Sequence, residues 1–356
     1  MKNNQTQTQG AIALLKSLIE TPSFSSEEDK TALLIENWFN QNEIPFKREN
    51  NNIWAFNKCF DDSKPTLLLN SHHDTVRPNQ AYTNDPFKAI VRDGKLFGLG
   101  SNDAGGCLVS LLATFVHFYA NETLPYNIVI VASAEEENSG KNGLNSVLKH
   151  LPKLDCAIVG EPTLMQLAIA EKGLLVLDVK VKGTPSHAAH QNEDNAIYKT
   201  IPVMDWFKNY TFDKISEQLG PVKMTVTQIN AGKQHNVVPS ECDLVVDIRV
   251  NDCYSNSEIL EAVKVQVNAE VTPRSMHLNA SSIPIAHGLV QAGIALGRTS
   301  YGSPTLSDQS VLSCKSLKLG PGDTLRSHSA DEFIYVNEIE VGIELYIKII
   351  SDFLKQ

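Results

Sequence analysis

Three short apolar runs constrain this chain more than any other feature. Residues 66–70, 127–131 and 156–160 are apolar almost throughout rather than alternating, and helical stretches near 105–120 and 141–150 separate them. A strand that is apolar at successive positions has to be covered on both faces, which is the situation of a largely parallel sheet flanked by helices. In such sheets, chemistry collects just past the carboxyl ends of the strands. Here each run ends in polar residues: Ser71-His72-His73-Asp74, Ser133-Ala134-Glu135-Glu136-Glu137 and Glu161-Pro162-Thr163.

A length of 356 residues suggests two domains, at about 150 residues each. From about residue 174 the pattern changes to alternation, at 176–181, 224–229 and 244–250, and a helical segment follows the first and third of these. Alternation marks antiparallel strands with one wet face. The expected organisation is a large α/β domain made of residues 1–174 and 281–356, with a smaller α+β domain inserted at 175–280. Helices are expected at 10–20, 27–41 and 337–354, with Ser25 or Ser26 capping the second.

The chain carries 41 acidic and 31 basic residues, a net charge of minus 10, and has no Lys/Arg-rich run, so nucleic acid and anionic membranes are poor partners. Nowhere do 18 apolar residues run together, so no segment is expected to span a bilayer as a helix. Six cysteines lie scattered without a C-x-x-C pair and read as reduced thiols rather than metal ligands. With a polar start that lacks a signal-peptide pattern, the expected location is cytoplasmic.

Taken singly, the polar clusters decide little. Three adjacent glutamates are commonly a solvated run, and Gly98-Leu99-Gly100-Ser101-Asn102-Asp103 is no phosphate loop, because no G-K-[ST] follows and its aspartate repels phosphate. Their convergence is what matters. Acids at the ends of successive parallel strands share one crevice, where they repel unless cations neutralise them. Carboxylates and imidazoles together suit zinc or a similar divalent ion. Asp74 is placed to accept the second ring proton of His72. Late in the chain, Gly320-Pro321-Gly322-Asp323 leads to His328, a second imidazole, with Asp331 and Glu332 behind it.

These pieces, with Gly183-Thr184-Pro185-Ser186-His187 and Asn236-Val237-Val238-Pro239, resemble in order the zinc-dependent M20 metallopeptidase family, in particular its acetylornithine deacetylase and succinyl-diaminopimelate desuccinylase branch. The resemblance covers nearly the whole chain. It implies a zinc aminopeptidase-like catalytic domain and a ferredoxin-like dimerisation or lid domain. It also implies two zinc ions, for which cobalt can substitute: one held by His72, Asp103 and Glu161, the other by Asp103, Glu137 and His328. Asp74 would orient His72, the Asp103-Ala104 peptide would be cis, and Glu136 would be the general base that passes the proton of an attacking water to the leaving amine. His187 would reach a partner subunit's active site in a homodimer and hold the oxyanion, and Asn236 and Arg249 would bind substrate. The implied reaction removes an acetyl or succinyl group from a small N-acyl amino acid. Acylornithine or acylcitrulline of arginine biosynthesis comes first; succinyl-diaminopimelate, or a di- or tripeptide, is the alternative. Where many relatives have Met-Lys after the bridging aspartate and arginine between the two preceding glycines, this chain has Ala104-Gly105 and Leu99, and the usual proline after His187 is missing.

Overall fold

The structure is a computed structural model that describes residues 4–356; the polar opening residues Met1, Lys2 and Asn3 lie outside the described residues. Two compact units emerge. The first comprises Met1–Ile169, Ser282–Tyr301 and Ser307–Gln356, and the second Ala170–Ser281 with Gly302–Leu306.

At the centre of the first unit are four parallel strands in the spatial order Asn127–Ser133, Thr66–His72, Cys156–Val159 and Lys315–Lys318. Antiparallel strands flank them, including Asn52–Phe56 beside Asn127–Ser133. Successive side chains on a strand point to opposite faces. Leu67 and Leu69 therefore join the large core with Ile128, Ile130 and Ile158, together with Leu108, Leu111 and Phe115 of the helix Gly106–Tyr119 and Ile343, Tyr346 and Ile350 of the helix Val336–Phe353. Leu68, Val129, Val131 and Ala157 face the other way, into a smaller cluster with Trp54, Leu144 and Val147. Both faces are covered, which is why these runs are apolar without alternation.

Three details depart from the sequence reading. The first helix, Asn4–Ile19, begins six residues earlier than its apolar periodicity suggested. The helical stretch expected at 141–150 is one α-helical turn, Leu144–Val147, and a short 3-10 turn, Leu148–His150. Neither Ser25 nor Ser26 caps the second helix, Asp29–Gln41; Glu28 occupies the cap position without a side-chain cap bond. Both serine hydroxyls are engaged elsewhere, as described below.

The second unit is a four-stranded antiparallel sheet in the order Lys223–Ala231, Glu241–Val250, Gly173–Lys182 and Glu270–Pro273. The helices Ala196–Asn209 and Asn256–Gln266 follow its first and third strands in chain order, the split β-α-β arrangement of ferredoxin-like domains. Leu175, Leu177, Val179 and Val181 alternate inward to meet Val246, Ile248, Phe207 and Val263. Ser255 and Glu258 form a capping box on the second helix.

Candidate metal centre

His72 ends its parallel strand with a ring that is 1% exposed. Its Nδ1 lies 3.0 Å from the backbone carbonyl oxygen of Asp74. A carbonyl only accepts, so Nδ1 carries the hydrogen and Nε2 of the neutral ring presents a lone pair. That lone pair faces Asp103 Oδ1 at 3.4 Å, Glu161 Oε1 at 3.8 Å and Glu136 Oε2 at 3.9 Å. Nε2 is buried and makes no hydrogen bond. An acceptor facing three largely shielded carboxylates calls for positive charge between them, supplied by protons or by a cation.

Titration follows that arrangement. Burial works against the His72 imidazolium, yet Asp103, Asp74 and Glu136 hold its pKa well above the usual range. Burial pushes the Glu136 carboxyl well up, opposed by His72 and reinforced by Glu161, Asp308 and Glu137. Burial also lifts Glu161 to about 8, against His72 and with Asp103. Across the cluster, His328 Nε2 lies 3.0 Å from Glu137 Oε2 and 3.6 Å from Asp103 Oδ2. The hydrogen bond to Glu137 raises His328 to about 9. Asp103 thus turns one oxygen toward each imidazole.

Ligand atoms of His72, Asp103 and Glu137 lie within 4.8 Å of one another, as do those of His72, Glu136 and Glu161. Asp103 sits in the tight turn Ser101–Gly105, and the Asp103-Ala104 peptide is cis. Gly100 enters that turn at φ 73°, where a Cβ would meet Thr75 Cγ2 at 2.6 Å, so only glycine fits without strain.

Asp74 faces the His72 ring with two of its groups. The well-formed bond to the His72 ring comes from its backbone carbonyl, while its carboxylate Oδ1 stands 3.3 Å from Nδ1. The carboxylate also accepts the N–H of Glu136 on Oδ1 and of Glu137 on Oδ2, each at 3.1 Å, and the Ser25 hydroxyl on Oδ2 at 2.7 Å. Ser26 Oγ donates to Glu135 Oε1 at 2.9 Å, and Glu28 Oε1 accepts the N–H of Ser26 and of Glu135. The segment before the second helix therefore clasps the Glu135–Glu137 turn from behind. Sequence reasoning missed these partners, because two serines ahead of acidic residues look the same whether they cap a helix or reach across to a distant loop. It also missed the role of Asp308, whose Oδ2 accepts the Ser133 hydroxyl at 2.6 Å; burial pushes this carboxyl to about 6.

The structure brings His72, Asp74, Asp103, Glu136, Glu137, Glu161 and His328 together in the first unit. His187, Asn236 and Arg249 belong to the second. There, Ser186–His187 pairs with Val237–Val238, and Ala188 N–H donates to Asn236 O at 3.0 Å, so His187 and Asn236 are neighbours. Arg249 forms a bidentate pair with Asp247, Nε to Oδ1 at 2.9 Å and Nη2 to Oδ2 at 3.1 Å.

Residues 68–352 match the sequence profile of Peptidase family M20/M25/M40. The chain belongs to that family. This M20 chain is thus a metal-dependent hydrolase of amide bonds. It is 28% identical over 206 residues to a succinyl-diaminopimelate desuccinylase of Acidiphilium cryptum, a match covering 55% of each chain, and so spans about half the length of that relative. To an acetylornithine deacetylase of Shigella sonnei it is 26% identical over 380 residues, covering 96% of this chain and 97% of the relative. A crystal structure from Bacillus subtilis, described as a dinuclear metal binding peptidase of the M20 family, superposes with a TM-score of 0.72 at 14% identity, covering 98% of this chain and 99% of that one. The M20 donor set of imidazole and carboxylate, with a buried Nε2 left unbonded among acids, fits a pair of divalent cations. Among the described residues, no helix is long and apolar enough to cross a membrane.

Proposed function

We propose that this M20 chain is a two-zinc deacylase that releases an amino acid from its N-acetyl or N-succinyl derivative, with Glu136 as general base. The observation carrying this reading is the unbonded His72 Nε2 among Asp103, Glu161 and Glu136. His72, Asp103 and Glu161 would hold one ion and Asp103, Glu137 and His328 the other, so that Asp103 would serve both. Bound there, the ions supply polarisation of the amide carbonyl and a lowered pKa for water.

Glu136 is the carboxylate left over for proton transfer. With Asp103, Glu137, Glu161 and the two histidines assigned to the ions, Glu136 remains for proton transfer beside them, 3.9 Å from His72 Nε2, and burial raises its affinity for a proton. It takes the proton of the attacking water and delivers it to the departing amine. Asp74 fixes the Glu136 and Glu137 backbone, so the base and one ligand keep a set spacing. His187 and Asn236, neighbours in the second unit, would meet substrate in a homodimer, and Arg249 would bind the α-carboxylate by its guanidinium.

Acylornithine or acylcitrulline is one of two equally supported substrate classes, favoured by the near full-length likeness to an acetylornithine deacetylase. The name of the Acidiphilium relative supports a second, succinyl-diaminopimelate. The test is amine release by zinc-loaded protein on acetyl- and succinyl-ornithine, acetyl- and succinyl-citrulline, succinyl-diaminopimelate and simple dipeptides. A dominant signal on one acyl amino acid supports the deacylase; cleavage of dipeptides alone removes it in favour of a peptidase.

A further inference from the structure

Four residues beyond His328, Glu332 is a carboxylate only 2% exposed. Its Oε1 accepts the backbone N–H of Asn102 at 2.8 Å and of Asp103 at 2.9 Å, and its Oε2 accepts that of Gly100 at 3.1 Å. Its own carbonyl accepts the N–H of Gly98 at 3.0 Å. From the opposite side, Asn102 Nδ2 donates to Asp323 O and Asn102 Oδ1 accepts the Asp323 N–H, both at 3.0 Å. The turn that carries Asp103 is therefore stitched at several points to the segment that carries His328.

A carboxylate is the side chain suited to this task, since an ionised one accepts at both oxygens and donates nowhere. Burying it costs much more than burying a neutral group, unless several donors satisfy it. Three N–H groups on one turn offset part of that cost here. The bonds fix the Asp103 backbone, and with it the direction in which both carboxylate oxygens point.

We propose that Glu332 is a positioning residue for the metal centre, one that sets the Asp103 carboxylate against His328 and thereby governs affinity for both ions. This rests on Asp103 as the shared ligand. A ligand's supporting partner contributes about 10- to 100-fold in metal affinity. In Glu332→Gln one oxygen becomes an NH2 group, which meets an N–H donor where an acceptor stood. Asp331 is the control. Its carboxylate accepts from Thr83 N–H and Oγ–H and from Asn84 N–H, holding an outer loop rather than the Asp103 turn.

The experiment is cobalt titration of the chelator-stripped full chain, following stoichiometry, both dissociation constants and the visible d–d bands. The parent is expected to take up two ions. Glu332→Gln, with unchanged circular dichroism, is expected to lose 10- to 100-fold in affinity for both, with altered band positions, whereas Asp331→Asn leaves at least one ion at parental affinity. Glu332→Asp, which keeps the charge but is one methylene short, gives the same readout should the glutamine variant fail to fold. Parental affinities and spectrum in either folded variant overturn the proposal alone. A parent that binds fewer than two ions, or an Asp103→Ala variant that still binds two, overturns the shared-ligand reading and this proposal with it.

Discussion

Replacing Asp74 by asparagine separates its backbone-holding role from a simple orienting role for His72. The side chain is fully buried and accepts three hydrogen bonds, from Ser25 Oγ and from the N–H groups of Glu136 and Glu137. Asparagine keeps one oxygen. If that oxygen stays with Glu136, the Glu137 N–H faces an NH2 group; in the other orientation Glu136 loses its acceptor. The Ser25 hydroxyl can turn and accept, so its bond survives. One bond to a charged acceptor is lost, and one buried donor stays unsatisfied, a cost of about 3 kcal/mol. Ser25→Ala removes only the hydroxyl bond and costs about 1.5 kcal/mol. The assay is urea unfolding of chelator-treated protein at pH 7, where bound metal adds no linkage, with the midpoint expected to fall at constant m. Despite burial, the His72 ring beside it holds the Asp74 carboxyl below its ordinary range. Its stabilisation is therefore complete above an unfolded value of about 4 and is lost as pH falls through the lower folded value, so the deficit of the asparagine variant shrinks in acid. A variant as stable as the parent at pH 7 refutes the backbone-holding account.

Two further expectations concern residues around the centre. His73 is buried and neutral, its Nε2–H bonding the Asn51 carbonyl at 2.8 Å, and burial lowers its pKa to about 4. The unfolded chain takes up this proton first, near pH 6.5, so stability is lost as pH falls from about 6.5 toward 4; His73→Gln is expected to remove about 2 kcal/mol of the difference in urea stability between pH 7 and pH 5. Gly100→Ala combines a left-handed backbone with a 2.6 Å approach to Thr75 Cγ2 and is expected to cost about 2 kcal/mol or more by urea unfolding. Thr75→Ser, which removes that methyl, should recover part of the loss in the double variant, and simple additivity would argue against the clash.

The parallel sheet was legible because continuous apolar runs leave few other placements, and the ends of those runs located the acids and His72. The strand Lys315–Lys318 was harder to place, since two lysines in four residues hide a segment whose Ser316 and Leu317 are buried. Partners distant in sequence were the hardest. Ser25 with Asp74, Ser133 with Asp308 and Glu332 with the Asp103 turn are separated by 49, 175 and 229 residues, and short polar side chains carry no periodic signal that reveals a partner. Arg249 illustrates the same ambiguity, because a strand arginine two residues from Asp247 suits an ion pair as well as a ligand contact.

The most direct test of the central claim is Glu136→Gln, measured for bound zinc by elemental analysis and for amine release on the preferred acyl amino acid. Two ions per chain are expected, as in the parent, with turnover lower by about 10²- to 10⁴-fold. Unchanged turnover would take proton transfer away from Glu136, and loss of metal with turnover would make it a ligand instead.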